Sequence, residues 1–269
     1  MVEVTAPRHP TGADHPVVQR RVAVVTGGSR GIGAATARAL ASAGWDVCIG
    51  YRVDAAAAAT VAADCGVLGV RAVTVAVDVA EESSVAELFR LLDTQWTASG
   101  SLGALINCAG IVAPASRVEN MGAARLSRML AVNVTGSFLC AAQAVRRMSG
   151  RHGGAGGVIV NLSSAASRLG SPGEYVDYAA SKGAVDTLTI GLAREVADEG
   201  IRVVAVRPGL IDTDIHASGG QPDRLERLRT QIPMQRVGQP EEVASTIAWL
   251  CGDGASYVTG AILDVSGGR

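Results

Sequence analysis

Aromatic residues are scarce in this sequence: Phe, Trp and Tyr make up 3% of its 269 residues, although hydrophobic residues as a whole reach 48%. The core must therefore be built mainly from Ala, Val, Leu and Ile, whose side chains suit the close packing of helices on a sheet. The length suits one large α/β domain or two small ones, and a chain of this size buries a substantial core.

Metal-binding and disulfide patterns are also lacking. The five cysteines lie far apart without a C-x-x-C pair, and the four histidines show no metal-ligand spacing. An odd number of widely separated cysteines argues against a disulfide framework or a zinc site. We therefore predict no metal site and a reducing, cytoplasmic setting.

Long apolar runs and basic clusters are missing as well. No stretch approaches 18 uninterrupted apolar residues, so no membrane span is predicted. The net charge is −1 and the basic residues are scattered, which argues against a nucleic-acid partner. Residues 1–20 contain prolines and polar residues but no apolar segment of a secretory signal. We expect them to form a flexible tail in front of one domain over residues 21–269.

From Arg21 onward, short apolar runs alternate with helical stretches, and no linker or repeat divides the chain. Continuous apolar runs predict strands that are covered on both faces. They lie at Val22–Val25, Val47–Ile49, Ala72–Val77, Ala104–Ile106, Val158–Leu162, Val203–Val206 and Ala261–Val265. Helices are predicted at Ala34–Ala43, Ala55–Asp64, Glu82–Thr97, Val118–Met148, Tyr178–Glu199 and Glu241–Cys251. This alternation predicts a single α/β domain, a doubly wound parallel seven-stranded sheet with helices on both faces.

A glycine-rich loop follows the first predicted strand and precedes the first helix. It reads Gly27-Gly28-Ser29-Arg30-Gly31-Ile32-Gly33. Glycines allow the backbone to turn sharply and to approach a pyrophosphate, whose charge meets free N–H groups at the helix N-terminus. The position of the loop therefore predicts a dinucleotide-binding site.

Two other motifs match this loop in part. A nucleotide triphosphatase loop needs Lys followed by Ser or Thr after its last glycine, and here Ala34-Ala35 follow. Gly27-x-Ser29-x-Gly31 matches a serine-hydrolase elbow, but that elbow should follow several strands and have its oxyanion loop upstream. The context therefore argues against both of these readings.

The end of the second strand predicts which nucleotide is bound. A site that prefers NAD places an acidic residue there for the ribose hydroxyls, whereas this chain has Gly50-Tyr51-Arg52-Val53, with Asp54 too late. Arg52, together with Arg30 in the glycine loop, is suited to hold a 2′-phosphate through charge-assisted hydrogen bonds. We therefore predict NADP(H) as the cofactor.

The chain has 24 basic residues, of which 23 are arginines and one is a lysine, Lys182. Lys182 follows Tyr178 by four residues, so both lie on one face of the predicted helix. A neighbouring ammonium group favours the phenolate and is expected to lower the pKa of the tyrosine from its usual value near 10. Such a tyrosine can donate or accept a proton during hydride transfer.

In this order, the motifs of the chain resemble those of the short-chain dehydrogenase/reductase family over essentially all of residues 21–269. They are Thr26-Gly27-x-x-x-Gly31-x-Gly33, Asp78-Val79, Asn107-Cys108-Ala109-Gly110, Asn133, Ser164, Tyr178-x-x-x-Lys182 and Pro208-Gly209. The resemblance implies a Rossmann fold similar to that of 3-oxoacyl-carrier reductases and glucose dehydrogenases. It also implies a homo-tetramer or a homo-dimer.

The resemblance implies roles for individual residues. Tyr178 would be the acid/base, Lys182 would lower its pKa and hold the nicotinamide ribose, Ser164 would bind the substrate oxygen, and Asn133 would anchor a water in a proton relay. Tyr178, like Lys182, would also contact the cofactor. The remaining positions would contact the cofactor: Gly27, Ser29, Arg30, Gly31, Ile32 and Gly33 at the phosphates, Tyr51 and Arg52 at the ribose, Asp78 and Val79 at the adenine, Asn107, Ala109 and Gly110 centrally, and Pro208, Gly209, Ile211 and Thr213 on the nicotinamide side.

Two departures from the family pattern bear on the site. Cys108 stands where the family usually has a second Asn, and the segment between Ser164 and Tyr178 is one residue longer than usual. The longer segment leaves open whether Ser163 or Ser164 faces the substrate, and it suggests that Glu174, Tyr175 and Asp177 influence substrate choice. The segment from Ile211 to about Arg229, which contains His216, follows a strand and is a candidate lid.

Several functions remain open on the sequence alone. The substrate is expected to be a small carbonyl compound or alcohol, either a β-keto thioester or a sugar or other polyol. A carrier-protein partner would need a basic patch, for which Arg125, Arg128, Arg146, Arg147 and Arg151 are candidates, although their helix is also a candidate oligomer interface. A different class is a catalytically silent NADP(H)-binding sensor, for which a broken Tyr-Lys pair would be expected.

Overall fold

The computed structural model describes residues 21–96, 101–221 and 223–269. The expected tail over residues 1–20, the end of the third predicted helix at Thr97 and the side chain of His216 lie outside the described parts.

Seven parallel strands form one sheet in the order β3-β2-β1-β4-β5-β6-β7. Their bounds are β1 Val22–Thr26, β2 Asp46–Tyr51, β3 Ala72–Ala76, β4 Leu102–Asn107, β5 Gly157–Leu162, β6 Ile201–Pro208 and β7 Ile262–Val265. The chain reverses its direction of winding beside β1, whose neighbours are β2 and β4. A crevice at the carboxyl ends of the strands is expected at this switch point. The predicted Rossmann-like α/β domain is confirmed.

Helices cover both faces of the sheet. They are α1 Gly31–Ser42, α2 Ala55–Val67, α3 Glu82–Gln95, α4 Ala123–Leu130, α5 Gly136–Met148, α6 Ala166–Leu169, α7 Val176–Val196, α8 Ile215–Ser218, α9 Arg224–Leu228 and α10 Pro240–Cys251. One buried cluster joins the sheet to α1, α2 and α10, and a second joins it to α3, α5 and α7. Phe89 is the largest fully buried side chain, so aliphatic residues supply nearly all of the core.

The single helix predicted over Val118–Met148 was wrong. A 3₁₀ turn at Val118–Asn120 comes first, and α4 and α5 are separated by a π-helical turn at Ala131–Thr135. The buried side chain of Asn133 lies in this turn and is hydrogen-bonded to both the N–H and the C=O of Ile111, on the loop after β4. An extra residue in a helical turn commonly marks a functional position.

Three further findings concern the exclusions drawn from composition. All five cysteines are unpaired. No cluster of three or more potential metal ligands occurs among the described residues. Within those same residues, no helix combines the length and the apolar character that a membrane span requires.

Candidate active site

The glycine-rich loop leaves β1 in a conformation that side chains would obstruct. Gly27 and Gly31 have positive φ angles of 65° and 53°. A Cβ atom on Gly27 would lie 2.9 Å from the Cα of Ala109, and one on Gly33 would collide with the carbonyl oxygen of Gly27. Glycine is required here because the loop, α1 and the end of β4 approach so closely.

The N-terminus of α1 is available to an anion. Arg30 is the N-cap residue, has an extended backbone and makes no side-chain capping hydrogen bond. The Thr26 hydroxyl accepts hydrogen bonds from the N–H groups of Cys108 and Ala109, both at 3.1 Å, and so fixes the neighbouring loop. Free N–H groups at the start of a 12-residue helix fit the diphosphate of a dinucleotide.

One cleft of about 1030 Å³ runs along the carboxyl ends of the strands. It contains the glycine loop at one end and Tyr178 and Lys182 further along. Among the predicted cofactor positions, it is lined by Gly27, Ser29, Arg30, Gly31, Ile32, Gly33, Tyr51, Arg52, Asp78, Val79, Ala109, Gly110, Pro208, Gly209, Ile211 and Thr213. The volume is adequate for a dinucleotide together with a small substrate.

The two adjacent serines after β5 have different orientations. The Ser163 hydroxyl is buried and donates to the main-chain oxygen of Lys182 at 3.3 Å. The Ser164 hydroxyl accepts from the N–H of Ala166 at 3.1 Å and acts on the pKa of Tyr178 through its hydroxyl group. Both serines line the cleft, but the Ser163 hydroxyl is engaged with the main chain, so Ser164 is the serine that acts on the tyrosine hydroxyl.

Burial governs the acid–base properties of Tyr178. It raises the pKa of the phenol, while the hydrogen bond with Ser164 and the more distant charge of Arg224 partly lower it. The net shift is upward, which is opposite to the direction predicted from the Tyr-Lys spacing. In this geometry the phenol is protonated at neutral pH, which is the form that donates a proton.

Lys182 explains why the predicted lowering is not seen. Its ammonium nitrogen donates to the main-chain oxygen of Leu162 at 2.6 Å and lies 5.7 Å from the centre of the Tyr178 ring. Burial also lowers the pKa of Lys182 to about 8, with Cys108 and Asp186 acting in the opposite direction. The amine of Lys182 is therefore held beside the phenol ring. Desolvation disfavours its protonated form, so it stabilises the phenolate less than a solvated ammonium group would.

Comparison with known proteins agrees with this geometry. Residues 27–269 match the family model described as enoyl-(acyl carrier protein) reductase. The chain is 53% identical over 248 residues to the uncharacterized oxidoreductase YgfF of Escherichia coli K12, covering 92% of this chain and 99% of that protein. It is 43% identical to cis-4-hydroxycyclohexanecarboxylate dehydrogenase of Sinomonas cyclohexanicum, covering 92% and 96%.

Solved structures show the same fold. A short chain dehydrogenase from Burkholderia cenocepacia J2315 in complex with NADP superposes with a TM-score of 0.83 at 32% identity, covering 94% of this chain and 98% of that one. The chain belongs to the short-chain dehydrogenase/reductase family. Another member is 3-ketoacyl-(acyl-carrier-protein) reductase from Brucella melitensis, complexed with NADH, with a TM-score of 0.84 at 32% identity and coverage of 93% and 98%. This dehydrogenase/reductase is an oxidoreductase, and its family binds a nicotinamide cofactor.

At the end of the dehydrogenase/reductase cleft that lies beside β2 and β3, Asp78 lies between two arginines. Its carboxylate is 3.3 Å from Arg128 and 3.9 Å from Arg52. Arg30 lies 4.0 Å from Asp214 on the other side of the glycine loop. Arg128 lines the cleft, and sequence reasoning did not assign it to the nucleotide site. The missing signal was spatial, because Arg128 is 50 residues from Asp78 in the chain.

Two predicted site residues do not line the cleft of the dehydrogenase/reductase. The Asn107 amide donates to the Asn161 side chain at 2.9 Å and to the main-chain oxygen of Ser137 at 3.2 Å. Asn107 thus braces β4 against β5 behind the cleft. Asn133 is fully buried and also donates to the Ser181 hydroxyl at 3.0 Å, so it links the Ile111 loop to α7.

The residues of the longer segment after Ser164 differ in whether they line the cleft. Tyr175 and Glu174 line the cleft. Asp177 does not line it, because its side chain is 1% exposed and is bound by Arg125 at 2.7 Å. Arg125 is consequently engaged in an internal ion pair and is unsuited to a surface patch for a carrier protein.

The buried Lys182 predicts a pH-dependent difference in stability. Its folded-state pKa lies below the ordinary 10.5, so folding carries a penalty below about pH 8 that is relieved as the pH rises toward 10.5. Relative to Lys182→Met, the wild-type free energy of unfolding should increase by about 2 kcal/mol between about pH 7 and 9.5. Urea unfolding of both proteins at the two pH values measures this difference. A difference that stays constant with pH would show that the ammonium is not desolvated.

Proposed function

We propose that this protein is an NADP(H)-dependent carbonyl reductase or secondary-alcohol dehydrogenase of the EC 1.1.1 type, with Tyr178 as its acid/base. The observation that carries this proposal is the placement of Tyr178 with Ser164 and Lys182 in the same cleft as the glycine loop. These groups supply a proton donor and an oxygen-binding hydroxyl where a small carbonyl compound can enter.

The chain's own residues account for binding and proton transfer. Ser164 orients the substrate oxygen, and Tyr178 donates its phenolic proton as that oxygen gains negative charge. In the oxidative direction, Tyr178 takes the proton from the alcohol. Lys182 holds the ribose and stabilises the phenolate that forms, and Asn133 is proposed to support the proton relay. The nicotinamide supplies or accepts the hydride when it is bound.

Preference for NADP(H) is proposed from the charges around the adenosine end. Arg52 directly follows β2, and no acidic side chain stands at the end of that strand to bind the ribose hydroxyls. Arg52, Arg128 and Arg30 all line the cleft. A 2′-phosphate would therefore meet guanidinium groups, which favour it through charge-assisted hydrogen bonds.

The substrate class is a small carbonyl compound or alcohol. The relative named cis-4-hydroxycyclohexanecarboxylate dehydrogenase suggests cyclic secondary alcohols as candidates besides β-keto thioesters and sugars. The sensor alternative is not favoured because Tyr178 and Lys182 are both present and lie in the cleft. The unpaired cysteines suit the reducing cytoplasm as the site of action.

A substrate panel tests this function. The purified protein is incubated with NADPH, or in parallel with NADH, and with β-keto thioesters, cyclic ketones, diketones, quinones and ketoses. Consumption of reduced nicotinamide with one class of carbonyl compound, faster with NADPH, is expected. Binding of NADPH without consumption across the panel would favour the sensor.

We also propose that the protein forms a homo-dimer or homo-tetramer through α4, α5 and α7, of which α4 and α5 each pack against α7. Their surfaces expose apolar side chains, among them Phe138, which is 50% exposed, Leu130 and Ile190. Light scattering should give two or four times the chain mass, and Phe138→Glu should shift it to a smaller species. The control Val67→Glu, at an exposed position on α2, should keep the wild-type mass. A monomeric wild-type protein would refute the proposal.

A further inference from the structure

The wall of the cleft beyond Tyr178 contains a buried arginine. Arg224 begins α9, lines the cleft and is only 9% exposed. Its guanidinium carbon lies 4.8 Å from the centre of the Tyr175 ring. Tyr175 is in turn fixed by a hydrogen bond from its hydroxyl to the main-chain oxygen of Gly219 at 3.1 Å. The guanidinium is therefore held in place by packing rather than free in solvent.

The positive charge in this corner exceeds the negative charge. Glu174 lies 2.5 Å from Arg224 and 3.2 Å from Arg227, so one carboxylate serves two guanidinium groups. Arg269 also lines the cleft. Partial burial and the charge of Arg224 lower the pKa of Arg269, while Glu174 acts in the opposite direction. Asp214 lies toward the glycine loop, 4.0 Å from Arg30.

The hydrogen-bonding capacity of Arg224 is largely unused. A guanidinium has five N–H donors. The contact of Nη1 with Glu174 is close but not aligned as a hydrogen bond, and that buried nitrogen has no other partner. No side-chain hydrogen bond from Arg224 occurs within the described ranges. Arg224 is thus a desolvated arginine whose charge is paired with a carboxylate shared with Arg227, and whose side-chain N–H donors form no hydrogen bond in the described part of the chain. Such donors favour an anionic ligand that can accept from them.

We propose that Arg224 is a substrate-binding residue that recognises a carboxylate, and that the substrate is a ketone or secondary alcohol bearing this anionic group. The inference rests on the proposed function, since it concerns the substrate of the same cleft. Arg224 lines the same cleft as Tyr178 and packs on the ring of Tyr175, which lies three residues before Tyr178 in the chain. A small substrate would therefore present its carboxylate to Arg224 and its reacting carbon to Tyr178. A fork-shaped guanidinium suits it because two parallel hydrogen bonds can form.

Matched substrates test the proposal by charge alone. The probes are 4-oxocyclohexanecarboxylate and its methyl ester, each reduced with NADPH by wild type, Arg224→Leu and Arg224→Lys. Wild type should prefer the acid to the ester by at least about 10-fold in kcat/KM. In Arg224→Leu, kcat/KM for the acid should fall by about 10- to 100-fold, while kcat/KM for the ester should change little. Arg224→Lys should fall between them, because an ammonium keeps the charge but not the fork.

Controls separate local recognition from general effects. Arg229→Leu removes an exposed arginine of the same segment and should change neither probe by more than about twofold. The NADPH affinity of each variant, measured by nucleotide fluorescence, reports correct folding. Calorimetric titration of the NADPH complex with cyclohexanecarboxylate and with its carboxamide measures recognition without turnover.

The outcomes distinguish this inference from the proposed function. Arg224-dependent binding of cyclohexanecarboxylate without reduction of any carbonyl compound would support the inference and contradict the reductase. The inference would be overturned, and the reductase left intact, if the protein reduced carbonyl compounds but showed no Arg224-dependent preference for a carboxylate. That preference is read in the reduction of the acid against its methyl ester and in the binding of cyclohexanecarboxylate against its carboxamide. Preference for neutral polyols, lost in both Arg224→Leu and Glu174→Gln, would also overturn it, because the Glu174–Arg224 pair would then bind hydroxyl groups.

Discussion

Tyr178→Phe is expected to lower the turnover of carbonyl reduction by at least about 100-fold, because general acid–base catalysis contributes at least that much. The substitution removes one hydroxyl from the cleft and keeps the ring beside Lys182. The affinity for NADPH should be unchanged, since the glycine loop and the arginines near Asp78 are untouched. Steady-state rates and fluorescence titrations with NADPH give the two values separately.

The control for this variant is Tyr257→Phe, which removes a phenolic hydroxyl from a fully exposed side chain outside the cleft. Its turnover should equal that of wild type. A Tyr178→Phe protein that stays fully active would contradict the assignment of the proton donor. A loss of NADPH affinity equal to the loss of turnover would instead indicate that the tyrosine acts mainly in cofactor binding.

Arg52→Asp should reverse the cofactor preference. The side chain follows β2, and in the structure it faces Asp78 at 3.9 Å. A carboxylate there would repel the 2′-phosphate of NADPH and accept from the ribose hydroxyls of NADH. We expect kcat/KM with NADPH to fall by about 100-fold, since a charge-assisted hydrogen bond is lost and a repulsion is added, while kcat/KM with NADH rises.

Arg52→Leu separates the loss of attraction to the 2′-phosphate from the gain of a carboxylate for the ribose. It should lower kcat/KM with NADPH without raising kcat/KM with NADH. Arg90→Asp makes the same charge change on α3, at an exposed position outside the cleft, and should alter neither value. A wild-type enzyme that prefers NADH by tenfold or more would refute the predicted specificity. So would an Arg52→Asp variant with unchanged kcat/KM for NADPH.

The sheet could be predicted from the sequence because its five inner strands, β1, β2, β4, β5 and β6, are largely buried apolar runs. The edge strands β3 and β7 are only partly buried, but they keep the same apolar character. The helical segment before β5 could not, because its break depends on distant contacts. Asn133 bonds to Ile111, which lies 22 residues earlier, and to Ser181, which lies 48 residues later. The local sequence around Asn133 does not reveal these partners, because they are distant in the chain. The short helices α6, α8 and α9 were missed for a similar reason, since they have too few residues to show a period.

The motifs of the candidate active site could be found in the sequence, since their spacing is local or follows the strand ends. Interactions that depend on packing could not. Arg224 is one of several arginines in its segment, and only the Tyr175 ring and Glu174 distinguish it. The upward shift of the Tyr178 pKa was missed because burial and the orientation of Lys182 toward Leu162 are properties of the folded chain.

Transfer of a labelled hydride tests the central claim most directly. NADPH carrying deuterium in both positions of the reactive carbon of the nicotinamide is incubated with the protein and the best carbonyl substrate, and the product is analysed by mass spectrometry. The account predicts one deuterium on the new alcohol carbon, formed by wild type and at least about 100-fold more slowly by Tyr178→Phe. An unlabelled alcohol, or no alcohol at all from a protein that binds NADPH tightly, would contradict the claim that this cleft reduces carbonyl compounds.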